Sequence, residues 1–89
     1  MTPQTLTAPV ELTLPATSGF LDQLLALPGP VEIDLGATTE IDLAGLQLLL
    51  AAARDPRFTF TPLPSPPLEA ACFAAGVESA IFLFGVPHV

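Results

Sequence analysis

Tryptophan, tyrosine and lysine are all absent from this chain. The entire basic complement is Arg54 and Arg57, set against nine acidic residues, and the net charge is −7. Nucleic acid is bound by Lys and Arg that neutralise its phosphates, so it is excluded as an expected partner. Phe is the only aromatic type present, which leaves little to stack on bases. The same deficit argues against an anionic membrane surface. An acidic surface serves solubility, and it can also steer a protein toward a basic patch on a partner.

Cysteine is nearly absent too. Cys72 stands alone, so no intramolecular disulfide forms and nothing demands an oxidising compartment. Residues 1–10 have no basic n-region and no apolar h-region, so no signal peptide is expected. The longest uncharged apolar runs, Leu43–Ala53 and Ala80–Val86, fall well short of the roughly 18–20 residues that a membrane span needs. The expectation is a soluble, cytoplasmic protein with no direct membrane insertion.

Catalytic constellations are missing as well. There is no Gly-rich phosphate loop and no Cys or His cluster. His88 is the only histidine and lies next to the C-terminus, where chains tend to fray. Asp34 and Asp42 flank one loop, but two acids without a third ligand make a poor metal site. Cys72 falls on the core side of its predicted helix and reads as an inert buried thiol. No enzyme activity, cofactor or metal is expected.

What the chain has is apolar mass. Hydrophobic residues make up 51% of 89 positions, enough for one core in a single domain. Val10–Leu14 alternates as a strand, closed by Pro15. Thr17 or Ser18 then caps a helix with Phe20, Leu21, Leu24, Leu25 and Leu27 as its apolar face. Pro28-Gly29-Pro30 ends that helix. Val31–Leu35 is a second strand, and a loop from Ala37 to Ile41 leads to a helix over Leu43–Arg54. Phe58–Thr61 is a third strand. Ser65 caps a helix opened by Pro66 and Pro67 and closed by Gly76. The apolar tail that follows is a last strand or a short helix. The order β-α-β-α-β-α-tail predicts an α/β domain with a mixed or parallel sheet and helices packed on it. Its core is expected to run from about residue 10 to 83, with 1–9 and 84–89 as terminal segments.

The helix over 43–54 carries the most information. Leu46, Leu49, Leu50 and Ala53 follow the i, i+3, i+4, i+7 spacing of a sheet-facing stripe. The opposite side holds Ala44, Gln47, Leu48, Ala51 and Asp55, with Leu43 between the faces at the first turn. The uncharged surface around Gln47 either docks a partner or lies under the C-terminal tail. Asp42 fits the N-cap, where a carboxylate accepts from free N–H groups at the positive helix end. Gly45 costs about 1 kcal/mol against alanine in a helix, so another backbone must approach there, from a neighbouring strand or from a partner. Thr38 and Thr39 precede the helix; they read as turn residues, with a hydroxyl each that modification could reach. Phe73 lies off the apolar face of its helix, and either packs with Phe82 and Phe84 or marks a homodimer contact.

Strand, loop and helix together, VEIDLGATTEIDLAGLQLLLAAAR, resemble the STAS domain, the sulfate-transporter and anti-sigma-factor-antagonist family. The hallmark of that family is Asp-(Ser/Thr)-(Ala/Ser)-Gly-Leu at the start of a leucine-rich helix. Asp42-Leu43-Ala44-Gly45-Leu46 matches at four of five positions, and PSPPLEAACFAAGVESAIFL resembles the later Ser-Pro capped helix. The resemblance covers about Val10 to Leu83. It implies a non-enzymatic interaction module that docks through Asp42, Leu43, Ala44, Gly45, Gln47 and Leu48. The implied partner is a serine-kinase-type anti-sigma factor, a histidine kinase or a chemotaxis protein. The alternative is a subunit that binds the ATPase of an ABC-type lipid-transport complex. The sequence departs from the family at the switch: the residue after the Asp is a phosphorylatable Ser or Thr in regulated members, and Leu43 has no hydroxyl. Thr38 and Thr39 are the remaining, weaker candidates for modification.

Overall fold

Three short strands run parallel in the order β1 (Gln4–Thr7), β3 (Val31–Asp34), β5 (Phe58–Thr61). The structure, a computed structural model, describes residues 4–85. One row of side chains, Leu6, Ile33 and Phe60, crosses the sheet in register. Val31 and Ile33 are fully buried, whereas Glu32 and Asp34 between them are half-exposed, as the period of two in a strand requires. A separate parallel pair joins β2 (Glu11–Leu12) to β4 (Glu40–Ile41). Parallel neighbours need crossovers, and α1 (Leu14–Ala26) and α2 (Leu43–Ala53) supply them. The predicted α/β class therefore stands, with every strand pair parallel.

Two strands lie where none is predicted. β1 falls in the segment expected to be terminal, and Ala8 beyond it is already in the core. Gln-Thr-Leu-Thr has one apolar residue, so its alternation is too short to register. β4 is two residues long and sits inside the predicted 37–41 loop.

The start of α1 also differs from expectation. The predicted strand Val10–Leu14 shrinks to Glu11–Leu12, and Thr13 is the N-cap. Pro15 lies within the first turn, where its missing N–H costs nothing, rather than ending a strand. Thr17 and Ser18 are interior residues of the helix and not caps; the Thr17 hydroxyl donates to the Leu14 carbonyl at 2.9 Å. Phe20 and Leu24 are buried, but Leu21 and Leu25, predicted on the same face, are exposed.

α3 (Pro66–Ala74) forms as its ends dictate. Ser65 Oγ accepts from the Leu68 N–H. Gly76 takes φ +73°, and the N–H groups of Val77 and Gly76 donate back to Cys72 and Phe73. That pair of bonds is the Schellman closure, for which the left-handed glycine is the natural residue. The tail resolves into a 3-10 helix, Glu78–Phe84, which carries Phe84 into an edge-to-face contact with Phe60 at 4.9 Å. No helix among the described residues is long and apolar enough to cross a membrane.

Candidate functional site

The N-terminal mouth of α2 is built on Asp42. Its Oδ1 accepts from the Gly45 N–H at 2.9 Å, the predicted cap. Its Oδ2 accepts from the Leu14 N–H, also at 2.9 Å. Leu14 is the first residue of α1, so one carboxylate serves the free N–H groups of two helices. Thr13 offers α1 no side-chain cap of its own. The N–H of Gly45 is the chief cause that holds the Asp42 carboxyl below the usual value; partial desolvation opposes it, and the Leu14 N–H adds to the lowering.

Gly45 is buried, and the approaching backbone belongs to the same chain. A Cβ at this position would collide with the carbonyl oxygen of Leu12 in β2 and reach Leu12 Cγ at 3.0 Å. The two origins open in the sequence are thereby separated: the glycine is needed for β2, and it offers no side chain and little surface to a partner.

The remaining docking residues part into two neighbourhoods. Leu43 is 61% exposed and points toward α3. It borders a notch of about 210 Å³ with Ile41, Asp42 and the alanines Ala71, Ala74 and Ala75. Ala44, Gln47, Leu48 and Ala51 face the other way and form one wall of a groove of about 580 Å³. The opposite wall comes from α1, through Leu14, Thr17, Ser18, Leu21 and Leu25. Leu24 and Ala52 contribute buried floor, and Phe58 adds to the lining. No residue of the 3-10 helix lines the groove. Leu48 is only half-exposed and packs partly on the core.

The α1 wall is the part that sequence reasoning missed. Leu14 and Leu25 are 68% and 67% exposed. The signal was present: Phe20, Leu21, Leu24 and Leu25 make an apolar face wider than one packing contact on the sheet can cover. Only the relative placement of α1 and α2 reveals that the surplus leucines face Gln47 and Ala51 across open space.

The other singled-out residues serve local structure. Thr38 is 4% exposed and its hydroxyl donates to the Pro9 carbonyl at 2.8 Å, so a modifying enzyme has no free oxygen to reach. Thr39 is exposed, and both its N–H and its hydroxyl donate to the Val10 carbonyl. Asp34 turns back to accept from the Gly36 N–H. Among the described residues no group of three or more His, Cys, Asp or Glu side chains is placed to hold a metal. Cys72 is buried, and burial, followed by the nearby charges of Glu69 and Glu78, pushes its thiol pKa up. Phe73 is 72% exposed and does not join the core with Phe84. His88 lies outside the described residues.

Arg57 has a role that the sequence did not signal. Its guanidinium donates to the carbonyls of Leu27 and Gly29 at 2.8 Å and of Leu24 at 3.3 Å, and it lies 4.1 Å from the centre of the Phe58 ring. It thus closes the C-terminal end of α1 from the start of β5, where a cation is also favoured by the helix dipole. Set against known protein families, curated proteins and solved structures, the chain finds no match.

Proposed function

We propose that this chain is a STAS-like, non-enzymatic interaction module of cytoplasmic signalling, which docks a protein partner on the exposed side of α2. The observation that carries the reading is the groove along Ala44, Gln47, Leu48 and Ala51, an apolar cleft with a volume of about 580 Å³ that no described element covers. The Asp42-Leu43-Ala44-Gly45-Leu46 helix opening supports the family assignment, with Asp42 as cap and Gly45 under β2. Leu43 sits exposed at the position of the family switch, so docking is constitutive with respect to phosphorylation there. The partner class is a serine-kinase-type anti-sigma factor or a histidine-kinase or chemotaxis protein.

Affinity capture from native lysate tests this with wild type beside Leu43→Glu and Gln47→Lys. Both positions are exposed, so circular dichroism should report native folding for each. A kinase or chemotaxis protein captured by wild type and lost in both variants is the expected outcome. Retention by both folded variants would remove α2 as the docking surface. Capture of a transport ATPase would move the chain to the transport class.

A further inference from the structure

Resting on that docking reading, we infer that the groove between α1 and α2 receives a basic amphipathic helix of the partner, with α1 supplying half of the contact. Both walls are helical, so the space between them has the shape that a third helix fills with one apolar stripe. From Leu14 to Leu25 the α1 wall is about 17 Å long at 1.5 Å per residue, the length of roughly three helical turns. Leu21 and Leu25 on one side and Ala51 on the other offer apolar contact, while Gln47 and Ser18 can hydrogen-bond at the rim.

Charge selects among occupants. Asp22 is exposed beside Leu21, Asp42 holds the Leu14 end, and Asp55, which pairs with Arg57, follows α2. Of the two arginines, Arg57 is committed to the carbonyls of Leu27 and Gly29, which leaves Arg54 as the cation at the end of α2. A second copy of this chain would bring −7 against −7. A fatty acid would bring its carboxylate to the same acids. A helix with Lys or Arg flanking an apolar stripe matches both the floor and the rim.

The test uses the full chain, 15N-labelled, titrated with a synthetic helix of about four turns. One probe has leucines at i, i+3, i+4 and i+7 with flanking lysines; its control carries glutamates instead. The lysine probe is expected to saturate, with the largest amide shifts at Leu21, Leu25, Gln47 and Ala51. Leu21→Gln with Leu25→Gln, both exposed positions, should weaken it about tenfold or more with a native spectrum. The glutamate probe should bind at least about tenfold more weakly. Failure of either probe pattern, shifts scattered over the acidic surface, or undiminished binding by the double variant overturns the inference. A self-associated chain with the groove protected also overturns it, in favour of a second copy. Shifts confined to Leu43 and Ala74 overturn it while leaving docking at the α2 mouth intact; the capture experiment with Leu43→Glu and Gln47→Lys reports separately on that broader reading.

Discussion

The mouth of α2 and the groove along its flank belong to one helix, but the chain has committed them in opposite ways. At the mouth both Asp42 oxygens are engaged, Gly45 presses on the β2 backbone, and Thr38 is buried against Pro9. Along the flank Gln47 and Ala51 look across open space at Leu21 and Leu25. The first region satisfies its polar groups internally and fixes where the helix begins. The second leaves apolar surface unused. A recognition face works when it is presented by elements held in place from elsewhere, and the mouth holds α1 and α2 in fixed relation at their shared end.

That contrast is broken most severely at Gly45. Alanine is worth about 1 kcal/mol more than glycine in a helix. Here Gly45→Ala should nevertheless destabilise by about 3 kcal/mol or more, because the obstructing atom is a backbone oxygen that cannot swing away. Urea unfolding followed by circular dichroism measures this; with no Trp or Tyr, intrinsic fluorescence reports little.

Arg57→Ala comes next, at about 2 kcal/mol, from the loss of charged hydrogen bonds to the end of α1 and of the stacking on Phe58. The same unfolding curves give its cost. A change below about 0.5 kcal/mol would mean that water serves those carbonyls equally well.

Asp42 sharpens the comparison through pH. Its folded-state pKa lies below the ordinary 3.8, so its stabilising contribution is complete above that value and disappears as pH falls through the lowered folded value. Asp42→Asn keeps an acceptor oxygen for one of the two helix N–H groups but turns an NH2 donor toward the other, so it should lose part of the stability at neutral pH while flattening the acid limb of a stability–pH curve. Asp42→Ala should lose the most at neutral pH, because α1 and α2 lose a cap together, and should converge on wild type in acid.

The smallest effect on stability belongs to the groove. Leu25→Gln changes an exposed side chain and should fall within about 0.5 kcal/mol of wild type, although it removes docking surface. Cys72 offers a control for the intact core: its thiol should stay unreactive toward a disulfide reagent in the native state and react on unfolding, since only the thiolate attacks.

The sequence disclosed whatever rests on local chemistry. Phe58–Thr61 forms over its predicted bounds, and Asp42, Ser65 and Gly76 close helix ends as their types suggest. Pro15 misled because the same residue ends a strand or opens a helix, and nothing in the neighbouring residues separates the two. The Asp42 contact with Leu14 spans 28 positions and the Arg57 contact with Leu27 spans 30. Such bonds depend on where elements meet, which periodicity does not encode. The α2 wall of the groove was legible as an apolar stripe on the wrong side of a helix; its α1 wall became visible only in three dimensions.

The borrowed ends of α1 bear on the order in which the protein is made. Residues 14–26 leave the ribosome before Asp42 and Arg57, the two side chains that satisfy their terminal N–H and C=O groups. A thirteen-residue segment with no side-chain cap of its own is a marginal helix in water. Full stabilisation of α1 is therefore expected late in synthesis, once Asp42 and Arg57 can reach its ends. Its amides should then exchange with solvent together with those of α2 and β5, as one cooperative unit.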